Sequence, residues 1–288
     1  MSLFQYEYMQ LALVSALIIG LTAPALGIYL VQRRLALIGD GIGHVALTGV
    51  GAGLLFQTSP VIMAVIAATV GAVVIELIRE RGRTSGDLAL ALLFYGGIAG
   101  GVVLVGLSDS TSSNLNAYLF GALSTASRAD VATIAVLGTA VLIAMIGLRP
   151  ALFAVCHDEE YARVSGLPVR ALNLLLAVTT AITVTIAMRA VGVLLISALM
   201  VVPVATAQQV TRGFRSTMAA AMALGLFAGG AGIWMAAVAD TAPGASVVVL
   251  AIASFVVVTL LAAGWRRLRA RPQPAPAPEP HEVVLGGS

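Results

Sequence analysis

Asp40 and His44 stand four residues apart inside a long apolar run, Leu35–Phe56. On a helix that spacing puts a carboxylate and an imidazole on one face, about one turn apart. Such a pair can hold a divalent transition metal or relay a proton. An ionisable residue within a membrane span marks a pathway or binding site by default, because lipid offers a charge no partner. The plainer reading makes Asp40 a helix cap near the inner surface, since Arg34 precedes it by only six residues, and makes His44 a neutral ring bonded between helices. Two ligands do not complete a Zn²⁺ site, which takes four. The others must come from elsewhere in the chain, from a second subunit or from water. His157 and His281, the remaining histidines, fall outside the apolar runs.

Other chemistry is weaker. Cys156-His157-Asp158 has the residue types of a nucleophilic site, but adjacent side chains point in different directions and do not make a triad. Thr48 lies one turn beyond His44 and has no second supporting partner, so an intramembrane hydrolase is a poor fit. Gly39-Asp40-Gly41-Ile42-Gly43 contains G-x-G, yet a dinucleotide loop needs a preceding strand in a soluble βαβ unit. Glycines in an apolar span instead let helix backbones approach closely, or let the helix unwind beside a cavity. All 16 basic residues are arginine, so no Walker-type lysine exists; if ATP drives this protein, another chain binds it. A single cysteine permits neither an intrachain disulfide nor a cysteine metal cluster.

The elements that must position Asp40 and His44 are membrane helices. Of 288 residues 59% are hydrophobic and 10% charged, against roughly 25% charged in soluble domains. Nine runs are long enough to cross a bilayer: 9–30, 36–56, 60–78, 88–107, 130–148, 171–188, 190–210, 217–238 and 245–265. The first carries no basic leader or cleavage site and reads as a retained span. With the C-terminus cytoplasmic and the N-terminus outside, fourteen of the sixteen arginines fall on inside segments and only Arg128 and Arg189 outside. Eight spans with one re-entrant segment is the alternative. The expected fold is therefore an all-α polytopic bundle, one membrane domain over 1–271, with a Pro-rich disordered cytoplasmic tail over 272–288. The basic residues are scattered, which argues against nucleic-acid binding. Ser108–Asp130 is an external connection. Pro150–Arg170 is the longest inside loop, with a short helix begun by Asp158, Glu159 and Glu160 and stopped at Gly166 and Pro168. Pro203 should kink its span, as a structural bend or a gating hinge. Asp240 caps the turn into the last span.

Five motifs occur in order: L-I-G-D-x-x-x-H over 37–44, Y-L-F-G over 118–121, D-x-E-x-A-x-x-x-G over 158–166, V-G-x-L-L…P-x-A-T-A over 191–207, and Pro243-Gly244 before the last span. Together they resemble the permease subunit of bacterial ABC importers for zinc, manganese and iron, the family called ABC-3, over about residues 9–265. Gly41, Gly43 and Thr48 depart from the usual small residues and proline, and Pro243-Gly244 lacks an intervening hydroxyl residue. The resemblance implies a non-enzymatic transport subunit of the bacterial inner membrane, working as a homodimer or heterodimer with the pathway at the interface. It also implies two cytoplasmic ATPase subunits and an extracytoplasmic metal-binding protein as partners, docking near Tyr118–Gly121. By the same likeness Asp40 and His44 would handle metal, and Asp158, Glu160, Ala162 and Gly166 would form the coupling helix. No bound cofactor is implied, with Zn²⁺, Mn²⁺ or Fe²⁺ as cargo. A proton-coupled secondary transporter is the rival reading.

Overall fold

The computed structural model describes residues 7–80, 86–108, 119, 121, 127–188 and 192–269. Among these the chain is helical and contains no strand. The helices are α1 (Glu7–Gln32), α2 (Ile38–Leu55), α3 (Pro60–Glu80), α4 (Gly86–Gly106), α5 (Arg128–Gly147), α6 (Arg149–His157), α7 (Glu159–Val164), α8 (Val169–Met188), α9 (Val193–Val210), α10 (Phe214–Ala239) and α11 (Pro243–Arg269). Each apolar run in the sequence falls on one helix. Seven helices are long and apolar enough to cross a membrane, while α4 and α9 contribute the shorter apolar stretches Leu90–Gly106 and Ile196–Val210. The Pro-rich tail, Tyr118 and Phe120 lie outside the described residues.

The Pro150–Arg170 segment holds more structure than its sequence suggested. Residues 149–157 form α6, one residue beyond the end of α5. Pro150 sits in the first turn of α6, where a missing N–H costs nothing. An aromatic cluster fastens this helix to the bundle: Phe153 packs on Phe214 of α10 at 4.8 Å between ring centroids, and Phe214 packs on Tyr29 of α1 at 5.3 Å. Tyr29 is fully buried, and its hydroxyl donates to the Met145 carbonyl of α5 at 2.7 Å. Asp240 adopts a left-handed conformation (φ 50°) and closes the C-terminal end of α10, three residues before α11 begins at Pro243.

Glycines decide how close the interior helices come. Helix α2 stays helical through Gly39, Gly41, Gly43, Gly49, Gly51 and Gly53, so none of them serves to unwind it. They admit neighbours instead. A Cβ on Gly49 would meet the Met63 carbonyl oxygen of α3 at 2.5 Å. From the other side, a Cβ on Gly97 of α4 would meet the His44 carbonyl carbon and the Val45 nitrogen at 2.7 Å. Thr48 Oγ1 then bridges the seam by donating to the Gly97 carbonyl at 2.7 Å. With no hydrophobic drive between helices in lipid, such close backbone packing and interhelical hydrogen bonds are what hold them together.

Pro203 is buried within α9, which runs unbroken from Val193 to Val210. Pro24 is likewise accommodated within α1.

Gly96 and Gly97 offer an internal test. Gly96 faces open space: a methyl group added there would meet nothing within 4 Å. Gly97→Ala is expected to cost about 1–3 kcal/mol by forcing α4 off α2, whereas Gly96→Ala should be neutral or stabilising by roughly 0.5–1 kcal/mol. Thermal unfolding of the purified protein in detergent reads the difference; equal melting temperatures for the two variants would refute the close-approach account.

Candidate functional site

Asp40 lies in the first turn of α2, where an acid complements the helix dipole. It is not the N-cap: Leu37 holds that position, and no side chain caps the helix there. Asp40 lines a cavity of about 400 Å³ with Leu37, Leu90, Ala91, Phe94 and Tyr95, between the start of α2 and the first half of α4. Among the described residues it has no hydrogen-bond or ion-pair partner.

His44, one turn further on, is 7% exposed. Its ring meets the edge of Phe94 at 4.5 Å between centroids and 79° between planes. Its Nδ1 is buried without a hydrogen-bond partner among the described residues. Phe94 therefore touches His44 and lines the cavity beside Asp40, so both predicted residues belong to one site at the α2–α4 seam. On the opposite side of α2, Ser197 of α9 stands against Gly39 with its own hydroxyl buried and unpartnered among the described residues. No cluster of three or more His, Cys, Asp or Glu side chains able to hold a metal occurs among the described residues. A single chain thus offers one carboxylate and one imidazole, a set that suits transient handling of a divalent ion better than permanent retention.

Hydrolytic alternatives fare badly against this geometry. The Thr48 hydroxyl is directed to the Gly97 carbonyl and not to the His44 ring. Cys156, His157 and Asp158 serve three separate purposes: His157 stacks on Phe153 at 5.7 Å and 11°, Asp158 caps α7 by accepting from the Tyr161 N–H at 2.9 Å, and Cys156 is half-buried against the core.

The loop between α6 and α8 displays the other predicted residues. Glu159 and Glu160 occupy the first turn of α7, and Gly166 follows it with φ 80°, a conformation that favours glycine. Ala162 is fully buried, so it anchors α7 to the bundle. Tyr161 and Val164, 68% and 89% exposed, are the apolar residues that face outward.

Arg33 was legible in sequence only as a topology marker. Its side chain is 6% exposed at the end of α1, and it donates to Asn173 Oδ1 of α8 at 2.9 Å and to Glu159 Oε2 of α7 at 3.2 Å. Glu159 Oε1 also accepts from Arg163 at 3.3 Å. Nearby, Arg79 pairs with Glu76 at 2.6 Å and Arg170 with Glu80 at 3.2 Å. Arg33, Arg163 and Arg170 thus come together where α7, the start of α8 and the end of α3 meet. Arg128, assigned outside, pairs with Glu7 at the start of α1.

The sequence pattern of the ABC 3 transport family matches residues 5–262. The chain belongs to that family. Among its relatives, the manganese transport system membrane protein MntC of Halalkalibacterium halodurans is 31% identical over 249 residues, covering 86% of this chain and 85% of that protein. The high-affinity zinc uptake system membrane protein ZnuB of Haemophilus influenzae is 30% identical over 251 residues, covering 87% and 96%. The solved structure of PsaBC from Streptococcus pneumoniae in complex with Fab superposes with a TM-score of 0.82 at 27% identity, covering 92% of this chain and 96% of that one. As a member of the ABC 3 family with seven helices long and apolar enough to span, the chain is a multi-pass membrane protein.

Burial pushes the Cys156 thiol up to about 11, against the opposing pull of Arg33 and Arg79. A thiol held there carries at least about 100-fold less thiolate at neutral pH than an ordinary one. Maleimide labelling of Cys156 at pH 7.5 should therefore be slow in the folded protein and fast after denaturation. Rapid labelling of the folded chain would contradict the packing described for α6.

Proposed function

We propose that this chain is the membrane-spanning permease subunit of an ATP-driven importer of a divalent transition metal, zinc, manganese or iron. The observation that carries the reading is the α2 pair: Asp40 lines a cavity, and His44 one turn away has a buried Nδ1 without a partner among the described residues. Membership of the ABC 3 family supplies the energy source, and the manganese and zinc system relatives supply the class of cargo.

In this reading the chain crosses the membrane nine times, with the N-terminus outside and the Pro-rich tail (272–288) in the cytoplasm. It performs no catalysis itself and binds no resident cofactor. Two cytoplasmic ATPase subunits receive α7 and its flanks, where Asp158 caps the helix, Glu160 lies in its first turn, Ala162 seats it and Gly166 turns the chain away. An extracytoplasmic binding protein delivers the ion near residues 118–121. A second permease copy faces the α2–α4 cavity and supplies donors that one chain lacks, because one carboxylate and one imidazole leave a metal shell incomplete. Asp40 and His44 replace part of the hydration shell as the ion passes, and α9 bends at Pro203 as access alternates.

Moderate affinity follows from the donor set. A closed tetrahedral shell would retain Zn²⁺, whereas two donors plus water exchange it.

Reconstitution tests the reading: this chain, a matched ATPase and a binding protein in vesicles, supplied with radioactive zinc, manganese or iron. ATP-dependent uptake of one metal is expected, falling at least about 10-fold in Asp40→Asn and in His44→Gln while assembly is unchanged. Uptake without ATP that follows a proton gradient would overturn the proposal and leave a secondary transporter in its place.

A further inference from the structure

Arg33 carries a charge into a place where a hydrophobic residue would serve stability as well or better. Buried ion pairs are poor stabilisers, since desolvation offsets most of their attraction. What they offer instead is a discrete contact that is either made or broken. The partners of Arg33 are of two kinds. Asn173 belongs to α8 and is itself 6% exposed, so it is fixed in the bundle. Glu159 belongs to α7, a helix of six residues whose one buried member is Ala162, and its own side chain is 38% exposed. Glu159 also holds Arg163 at 3.3 Å through its other oxygen. If α7 shifts, Arg33 keeps Asn173 and Glu159 keeps Arg163. When the contact between them opens, Arg33 retains a neutral hydrogen-bond acceptor and Glu159 a cationic partner.

The chain between Arg33 and the metal site has little slack. The Arg33 N–H donates to the Tyr29 carbonyl at 3.1 Å, Leu35 N–H to Leu30 at 2.8 Å, Ile38 N–H to Leu35 at 3.0 Å and Gly41 N–H to Leu37 at 3.3 Å. Arg34 makes the reversal in a left-handed conformation, φ 59°. Asp40 therefore lies seven residues from Arg33 across a connection held by backbone hydrogen bonds.

We propose that Arg33 is a positioning residue that couples α7 to the Asp40 end of α2 through the switchable Arg33–Glu159 contact. The proposal rests on the importer reading, in which α7 is the helix the ATPase moves. Its consequence is a specific defect: without the contact, the ATPase still turns over but its movement does not reach the metal site.

The test uses the reconstituted complex and the metal that the wild type takes up, measuring uptake and ATP hydrolysis in the same vesicles. Arg33→Gln and Glu159→Gln should each raise the ATP hydrolysed per ion transported at least about 10-fold, with the double variant no worse than either alone, as expected for two partners in one contact. Arg33→Lys, which keeps a charged donor, should recover part of the coupling. Glu159→Gln is at a half-exposed position, so it tests the contact even if Arg33→Gln fails to fold. Uptake and hydrolysis falling in step would mean a merely structural role and overturn the proposal, as would single-variant effects that multiply in the double. Wild-type vesicles without ATP-dependent uptake would remove the importer reading and this inference together, whereas wild-type coupling with unchanged ratios in the variants would remove this inference alone.

Discussion

Hydrocarbon gives a charged side chain neither water nor counterion, and the arrangement of this bundle follows from where its charges find partners instead. Glu76, 5% exposed in α3, receives two N–H bonds from Arg79 at 2.6 and 3.0 Å, a forked geometry that satisfies both carboxylate oxygens. Arg33 divides its donors between Asn173 and Glu159. The α8 threonines Thr179, Thr180, Thr183 and Thr185 return their hydroxyl protons to carbonyls of their own helix, so they ask nothing of the neighbouring helices as donors. Against this background Asp40 stands apart. It opens onto a cavity, and one turn along the same face stands a histidine whose Nδ1 is unpartnered among the described residues. A site is recognised here by what the fold leaves unsatisfied while satisfying so much else.

The position of that site depends on side chains that are not there. Gly97 lets α4 lie against the backbone at His44, and Gly43 leaves room for Val193 and Val184 on the opposite side. Larger residues would hold α4 away, moving Phe94 off the imidazole and changing the cavity beside Asp40. The same small residues that replace hydrophobic drive as the source of helix association therefore also set the geometry of the polar site.

Much of this was legible in the residues themselves. Apolar runs of membrane length located the long helices because a span must satisfy its backbone internally, so length and hydropathy suffice. Asp158, Glu159 and Glu160 announced the start of α7, and Gly166 and Pro168 its end, because both are local effects; that Asp158 is the cap itself came from the structure. Asp40 and His44 were visible as misfits in an apolar run. Helix α6 was not, since the polar and charged residues that surround it read as a connector and its attachment depends on Phe214, more than fifty residues away. Phe94 and Tyr95 looked like ordinary span residues; only the pairing of α4 with α2 brings them to Asp40. Arg33 was hidden for a different reason. Its charge was already accounted for by topology, and a residue with one sufficient explanation does not invite a second. The partners that give it another, Glu159 and Asn173, lie 126 and 140 positions away.

Incompleteness at the α2 site and over-provision at Arg33 are complementary properties. Under the proposed function, the carboxylate and imidazole of one chain would hold a passing metal with fewer groups than a retaining site uses. A charge that is to change partners must, conversely, have more groups than one state requires, or one state would strand it in a low-dielectric interior at a cost of several kcal/mol. Arg33 has two acceptors on two helices, and Glu159 has two donors. The tight turn from Arg33 to Asp40 joins the over-provided end of this arrangement to the under-provided one. Sequence distance between them is only seven residues, which makes the α1–α2 connection the shortest covalent route from the α7 contact to Asp40.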